Sequence, residues 1–265
     1  MPLFTHFNRR LAIAALTIVM GATSVARLYG DDPSRSAPSA ADTADDDDVP
    51  IAAALLAGVI NQLPREPIRV TGTLLVRRRR GVPISTYGFE LIARWGDAIP
   101  RTRYTILDAF GEPLERLELT HGESPTYDYA VGNPLESRPV YTLDRPVQST
   151  DITWMDLTLS FLWWQAAMIE GADRFKGIDC HVIRVKAPPD RPGTYSSVRL
   201  WIGKEAGMMV KAEGLDAAGN PVRRLWIQSV QKIDDAYMAK DMEIQKVPSA
   251  QRTKLIIAEV ERLQP

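Results

Sequence analysis

This 265-residue chain has one cysteine, Cys180, and three histidines. A lone cysteine excludes an intrachain disulfide, and Cys180 stands too far from the N-terminus to be lipidated at a cleavage site. Only His121 and His181 lie beyond the first fifty residues, which leaves little for a histidine-based metal centre or a catalytic triad. Cys180 and His181 are neighbours, but on a strand adjacent side chains point to opposite faces and cannot work as nucleophile and base. A GxSxG elbow, a phosphate-binding loop and a dinucleotide fingerprint after a strand are all missing. The expectation is a protein that is not an enzyme, with no catalytic residue, no metal and no cofactor. A surplus of one charge is missing too: Lys plus Arg is 32 and Asp plus Glu is 33, a net charge of -1. Nothing in that balance calls for nucleic acid.

What is present begins at the N-terminus. MPLFTHFNRR is basic, LAIAALTIVMGA is an uncharged apolar run, and Ser24-Val25-Ala26 puts small residues where a signal peptidase reads. This is the layout of a secretory signal over 1–26, and the run is shorter than the ~20 residues of a membrane span. An uncleaved anchor is the alternative. The expected location is the periplasm. Residues 27–49 are rich in Asp, Ser, Ala and Pro and bury too little to offset their ordering entropy, so they read as a disordered acidic spacer. The Asp45–Asp48 run lacks the alternating ligands and turn glycine of a calcium loop. Residues 50–265 read as one domain.

PIAAALLAGVINQL is a helix that Pro64 ends. IRVTGTLLVRRRR and ISTYGFELIARWG then flank Gly81-Val82-Pro83 as a hairpin. In its second arm Tyr87, Phe89, Leu91, Ala93 and Trp95 alternate with polar or small residues, the period of a half-buried strand. Short runs near 101–109, 113–120 and 125–131 follow. Beyond residue 178 come CHVIRVKA, YSSVRLWIG, GMMVKAEGLD, NPVRRLWIQSV, DAYMAKDMEIQKV and TKLIIAEVER. These make about eleven strands without crossover helices between most of them, hence a mainly β (α+β) fold with an antiparallel meander and one apolar face. Arg77–Arg80 reads as a solvated hairpin tip, or as a contact for anionic headgroups or an acidic partner.

The stretch TDITWMDLTLSFLWWQA, 150–166, holds three of the six tryptophans. Leu157, Leu159, Phe161 and Trp163 alternate as in a strand. Trp154, Leu157, Phe161, Trp164 and Met168 recur at three and four residues as in a helix. Thr153 and Asp156 form a capping box with Asp in place of Glu, and Gly171 supplies a stop, so a helix is expected. Met155, Leu159, Leu162 and Trp163 make it apolar nearly all round. It is either core against the sheet or the cover of a cavity for an apolar ligand.

Thr150-Asp151-Ile152-Thr153-Trp154-Met155-Asp156-Leu157 resembles the threonine–aspartate … aspartate–leucine segment of bacterial outer-membrane lipoprotein-sorting proteins of the LolA/LolB-like fold. Gly177 to Val182, Tyr195 to Ile202, Lys211-Ala212-Glu213, Asp216 to Gly219, Lys232-Ile233 and Thr253-Lys254-Leu255 match in order, over roughly 60–262. The resemblance implies an antiparallel half-barrel of about eleven strands, its apolar concave face covered by helices. It implies a carrier of lipoprotein acyl chains or other lipids, with a membrane donor complex and an acceptor as partners. Asp151 and Asp156 would be the family motif. Trp154, Leu157, Phe161 and Trp164 would line or cover the lipid site, joined by Val76, Phe89, Leu91, Val198 and Leu200 from the sheet. A sensor or adaptor of the same fold, which binds lipid or protein and signals to a partner, is the second reading.

Overall fold

The computed structural model describes residues 48–264 except 79–80, 123, 141, 191–192 and 234–235. The signal and nearly all of the spacer lie outside the described residues. Helix α1 (Asp48–Asn61) comes first. Six strands follow: β1 (Ile68–Arg77), β2 (Pro83–Arg94), β3 (Arg101–Leu107), β4 (Pro113–Thr120), β5 (Thr126–Val131) and β6 (Glu136–Arg138). Helix α2 (Trp154–Thr158) and a 3-10 turn (Ser160–Trp163) interrupt the strands. Then come β7 (Ala167–Phe175), β8 (Ile178–Lys186), β9 (Ser197–Gly203), β10 (Met209–Leu215), β11 (Pro221–Ile233), β12 (Ala236–Lys246) and β13 (Arg252–Arg262).

All thirteen strands form one open antiparallel sheet, in the order β6-β5-β4-β3-β2-β1-β13-β12-β11-β10-β9-β8-β7. Sheet neighbours are chain neighbours everywhere except at β1–β13, which pairs the first strand with the last, while β6 and β7, consecutive in the chain, lie at opposite edges. Short turns suffice for such a meander, which is why the sequence needs no crossover helices. The sheet has thirteen strands and not eleven. The two extra ones are the edge strands, and an edge strand needs no buried alternating face. β6 is Glu136-Ser137-Arg138, exposed throughout, and most of β7 is exposed.

The second correction concerns the tryptophan-rich stretch. It is not one helix to Gly171. The helix lasts five residues, Leu159 turns left-handed at φ 51°, and a 3-10 turn carries the chain to Trp163. Thr158 donates its hydroxyl to the Trp154 carbonyl at 2.7 Å, a side-chain bond of the kind that weakens a helix interior. Met168 and Gly171 belong to β7, whose pairing with β8 takes over from Ala167.

One face of the sheet carries the core. Leu74, Phe89, Leu91, Tyr104, Leu117, Val198, Leu200, Leu225, Met242 and Leu255 meet Ala52, Leu56 and Val59 of α1 and Trp154, Leu157, Phe161, Leu162 and Trp164 in a single cluster. The opposite face is laced with ion pairs such as Arg199–Glu213 and Arg224–Glu213. Among the described residues no helix is long and apolar enough to cross a membrane.

Candidate functional site

The segment between β6 and β7 is fastened to the sheet at several strands. Gln148 donates to Glu115 on β4, and the Asp151 N–H donates to Thr253 Oγ1 on β13 at 3.1 Å. The Trp154 ring stands edge-on to Tyr104 of β3 and Tyr129 of β5, with centroids 6.5 and 6.2 Å away.

The two motif carboxylates sit at the start of α2. Thr153 and Asp156 close the expected capping box. Asp156 accepts from Thr153 N at 2.9 Å, Thr153 Oγ1 at 2.7 Å and the Tyr195 hydroxyl at 2.6 Å, and it pairs with Arg223 Nε at 3.3 Å. Burial pushes its carboxyl above the usual carboxylate range, and Arg223, Tyr195 and Thr153 oppose that rise. Gly214 makes room for Tyr195: a Cβ there would stand 2.3 Å from the ring. Gly214→Ala is therefore expected to push Tyr195 off Asp156 and to lower stability by about 1–3 kcal/mol, read by urea denaturation.

Asp151 is buried beside that network, and burial pushes its carboxyl up to about 6, against Arg223 and Lys246. His121 is buried on the other side of the segment, stacked on Trp163 with centroids 3.8 Å apart, and burial lowers its pKa to about 4. The signs oppose. A carboxyl raised from 3.8 to about 6 gives stability that is lost as pH rises through that interval. An imidazole lowered from 6.5 to about 4 gives stability that is lost as pH falls through that interval. Asp151→Asn removes the first of these titrations. The variant is expected to be more stable than the parent at pH 7, by roughly 2 kcal/mol, and to lose stability more steeply on acidification below pH 6.5. Thermal melts from pH 4 to 7.5 (roughly the span of both titrations) check this.

Against α2, the 3-10 turn and the C-terminal end of α1 the sheet leaves a cavity of about 180 Å³. Its wall includes Val59, Gln62 and Leu63, then Val70, Phe89, Leu91, Trp95 and Tyr104, and Leu157, Leu159, Leu162 and Trp163. Met208, Met209, Ile227, Met238, Met242, Leu255 and Ile257 complete most of it, and no lining residue is charged. Trp163 also borders a smaller void of about 60 Å³ with His121, Leu143, Met155 and Trp164. Of the residues expected from sequence, Phe89, Leu91 and Leu157 line the larger cavity. Trp164 lies at the smaller one. Val76, Trp154, Phe161, Val198 and Leu200 are buried but line neither.

The four methionines were missed. They sit on β10, on β12 and in the turn before β10, and only the folded sheet brings them together. Methionine fills irregular space and repacks easily, so four of the chain's eight at one cavity make an adaptable apolar wall. Cys180 is buried in a separate small cluster with Val182, Trp201 and Val210. Among the described residues no group of His, Cys, Asp or Glu is placed to hold a metal ion.

The open sheet with its apolar face under a short helical segment can be set beside known structures. A domain classed as an outer-membrane lipoprotein-sorting protein from Vibrio parahaemolyticus superposes with a TM-score of 0.70 at 12% identity, covering 82% of this chain and 94% of that one. A LolA-superfamily protein from Nitrosomonas europaea gives 0.61 at 14% identity, covering 81% and 94%. The chain has the LolA-superfamily fold. A DUF1329-family protein from Desulfovibrio piger shares this LolA-like fold at a TM-score of 0.69 and 13% identity, covering 81% and 93%. A family model described as "Uncharacterized protein" matches residues 140–265, the half of the LolA-like sheet that holds α2 and β7 to β13. No curated protein matches the sequence.

Proposed function

We propose that this protein is a non-enzymatic periplasmic carrier that binds an acyl chain of a lipoprotein or another lipid inside a half-barrel formed by the curved sheet. The observation that carries this reading is the uncharged, methionine-rich cavity between the sheet and the helical segment. The LolA-like fold supports it, since one structure of that fold is described as an outer-membrane lipoprotein-sorting protein domain. The signal-like N-terminus supports export, with a membrane donor and acceptor at either end of the journey.

Transfer energetics set the mechanism. Each methylene moved from water into the cavity gains about 0.8 kcal/mol, so six would contribute about 5 kcal/mol. At about 180 Å³ the cavity is smaller than the ~300–1,000 Å³ of ordinary small-molecule sites, so the wall must move to admit a full chain. The movable part is the 3-10 turn, with left-handed Leu159 at one end and extended Trp164 at the other. An acyl chain would displace Leu159, Leu162 and Trp163 and lie along Phe89, Leu91 and Leu157, against the methionines. Release follows when those side chains refill the space and an acceptor holds the chain more tightly. A carboxylate or phosphate head would stay outside, because no lining residue is charged.

The test is equilibrium uptake of a fluorescent long-chain acyl ester by the mature protein, with Met242→Lys as the variant. Saturable uptake at one chain per protein, lost in a folded Met242→Lys, is expected. No uptake by the parent protein would end the carrier reading.

A further inference from the structure

The charged face of the sheet holds a second site, independent of the apolar cavity. A groove of about 840 Å³ lies where the end of β1 meets the start of β13, lined by Arg77, Arg78 and Arg252 with Glu243, Gln245 and Ser249. Arg77 and Arg252 are direct cross-strand partners. Like charges facing each other across an antiparallel pair are destabilising, so such a pair needs an anion between or beside them. The protein supplies one. Glu243 Oε1 is 3.2 Å from Arg77 and 3.8 Å from Arg252, and its other oxygen accepts from Gln228 at 2.6 Å. One carboxylate, already shared three ways, stands in a groove lined by three arginines.

The balance is different elsewhere on the same face. Arg184 and Arg199 also oppose each other, but Glu170 bonds both and Glu213 adds a second carboxylate. Arg94 and Arg101 oppose each other in a groove also lined by Arg103, but Glu118 and Asp128 in its wall and Asp97 bonded to Arg101 match those three arginines in number. At the β1–β13 groove, among the described residues, Arg78 has no ion pair and Glu243 is the one carboxylate in the lining. The buried Nε of Arg77 lacks an acceptor, as does that of Arg184, so the difference lies in the charge. Donors without acceptors and a net charge of +2 in a polar groove are what an oxyanion with several acceptor oxygens satisfies.

We propose that Arg77, Arg78 and Arg252 bind a phosphate group, free as a phosphate ester or as the headgroup of an anionic lipid. Arg77 and Arg252 give the fixed forks, because both are on paired strands. Arg78, at the hairpin, closes over the outer oxygens. The exposed Val82 and Ile84 on the same hairpin would touch the apolar part of a lipid if the phosphate belongs to one. Arg77 faces away from the core that holds Leu74, so the groove does not open into the cavity and does not depend on the carrier reading.

Thermal shift and calorimetry of the mature protein with inorganic phosphate, against chloride at equal ionic strength, test this. Phosphate is expected to raise Tm saturably. Arg78→Gln should weaken binding about tenfold, the loss of one charge-assisted contact, with Tm in chloride unchanged. The Arg77→Gln, Arg252→Gln double variant should lose phosphate binding altogether, and Arg252→Gln alone should melt no lower in chloride than the parent, because a like-charge neighbour is gone. Glycerol 3-phosphate and vesicles of phosphatidylglycerol or phosphatidylcholine separate the sources. Tight binding of the soluble ester points to a free phosphate ester. Binding to phosphatidylglycerol vesicles alone, lost in Arg78→Gln, points to a lipid headgroup. No saturable effect of phosphate or of phosphatidylglycerol, or binding that survives in both Arg78→Gln and the double variant, overturns the assignment. Acyl-ester uptake should be the same in Arg78→Gln, so failure here leaves the cavity reading standing.

Discussion

Asp156→Ala is expected to lower stability by about 3–5 kcal/mol, the largest effect of any single substitution outside the aromatic core. The carboxylate is the shared acceptor for Thr153, Tyr195 and Arg223. Truncation leaves the Tyr195 hydroxyl and the Arg223 guanidinium buried without their anion, and it removes half of the capping box of a helix only five residues long. Asp156→Asn keeps an acceptor oxygen in place and should lose roughly half as much. Urea denaturation with an unchanged m value reads both. A loss under about 1 kcal/mol for the alanine variant would show that α2 is held by its apolar contacts alone.

Leu159→Asn separates stability from ligand binding. Leu159 has φ 51° and ψ 33°, a left-handed conformation that disfavours leucine and suits asparagine. The substitution gives up apolar contact of a half-buried side chain and relieves backbone strain, so stability should change by less than about 1 kcal/mol. The same side chain lines the cavity, and an amide there meets no polar partner once an acyl chain is bound. Uptake of the acyl ester should fall about tenfold or more. Unchanged uptake would mean that the chain does not pass the 3-10 turn.

Much of this was legible from residue order. The hairpin at Gly81, the eleven inner strands, α1 and the Thr153–Asp156 cap all follow from local chemistry that packing did not overrule. Both missed strands are edges, with neither a buried face nor a period to betray them. The tryptophan-rich stretch misled for another reason. Its helical spacing is realised only from Trp154 to Thr158, although Trp154, Leu157, Phe161 and Trp164 are all buried. The chain must reach β7 by Ala167, and Thr158 offers its carbonyl-bonding hydroxyl where the helix breaks. The cavity was legible only in part. Phe89, Leu91 and Leu157 lie on patterned elements, whereas Met209 and Met242 are strands apart and share a wall only because β11 lies between their strands.

The carrier reading rests most directly on what the protein holds when it leaves the cell envelope. Native mass spectrometry of the mature protein purified without detergent from its own envelope, followed by lipid extraction, answers that. A stoichiometric acylated species is expected, reduced in Leu159→Asn and lost in Met242→Lys. A clean apo mass that stays clean after incubation with acyl lipid would contradict it, and would make the cavity beneath Trp163 no more than a packing defect of the core.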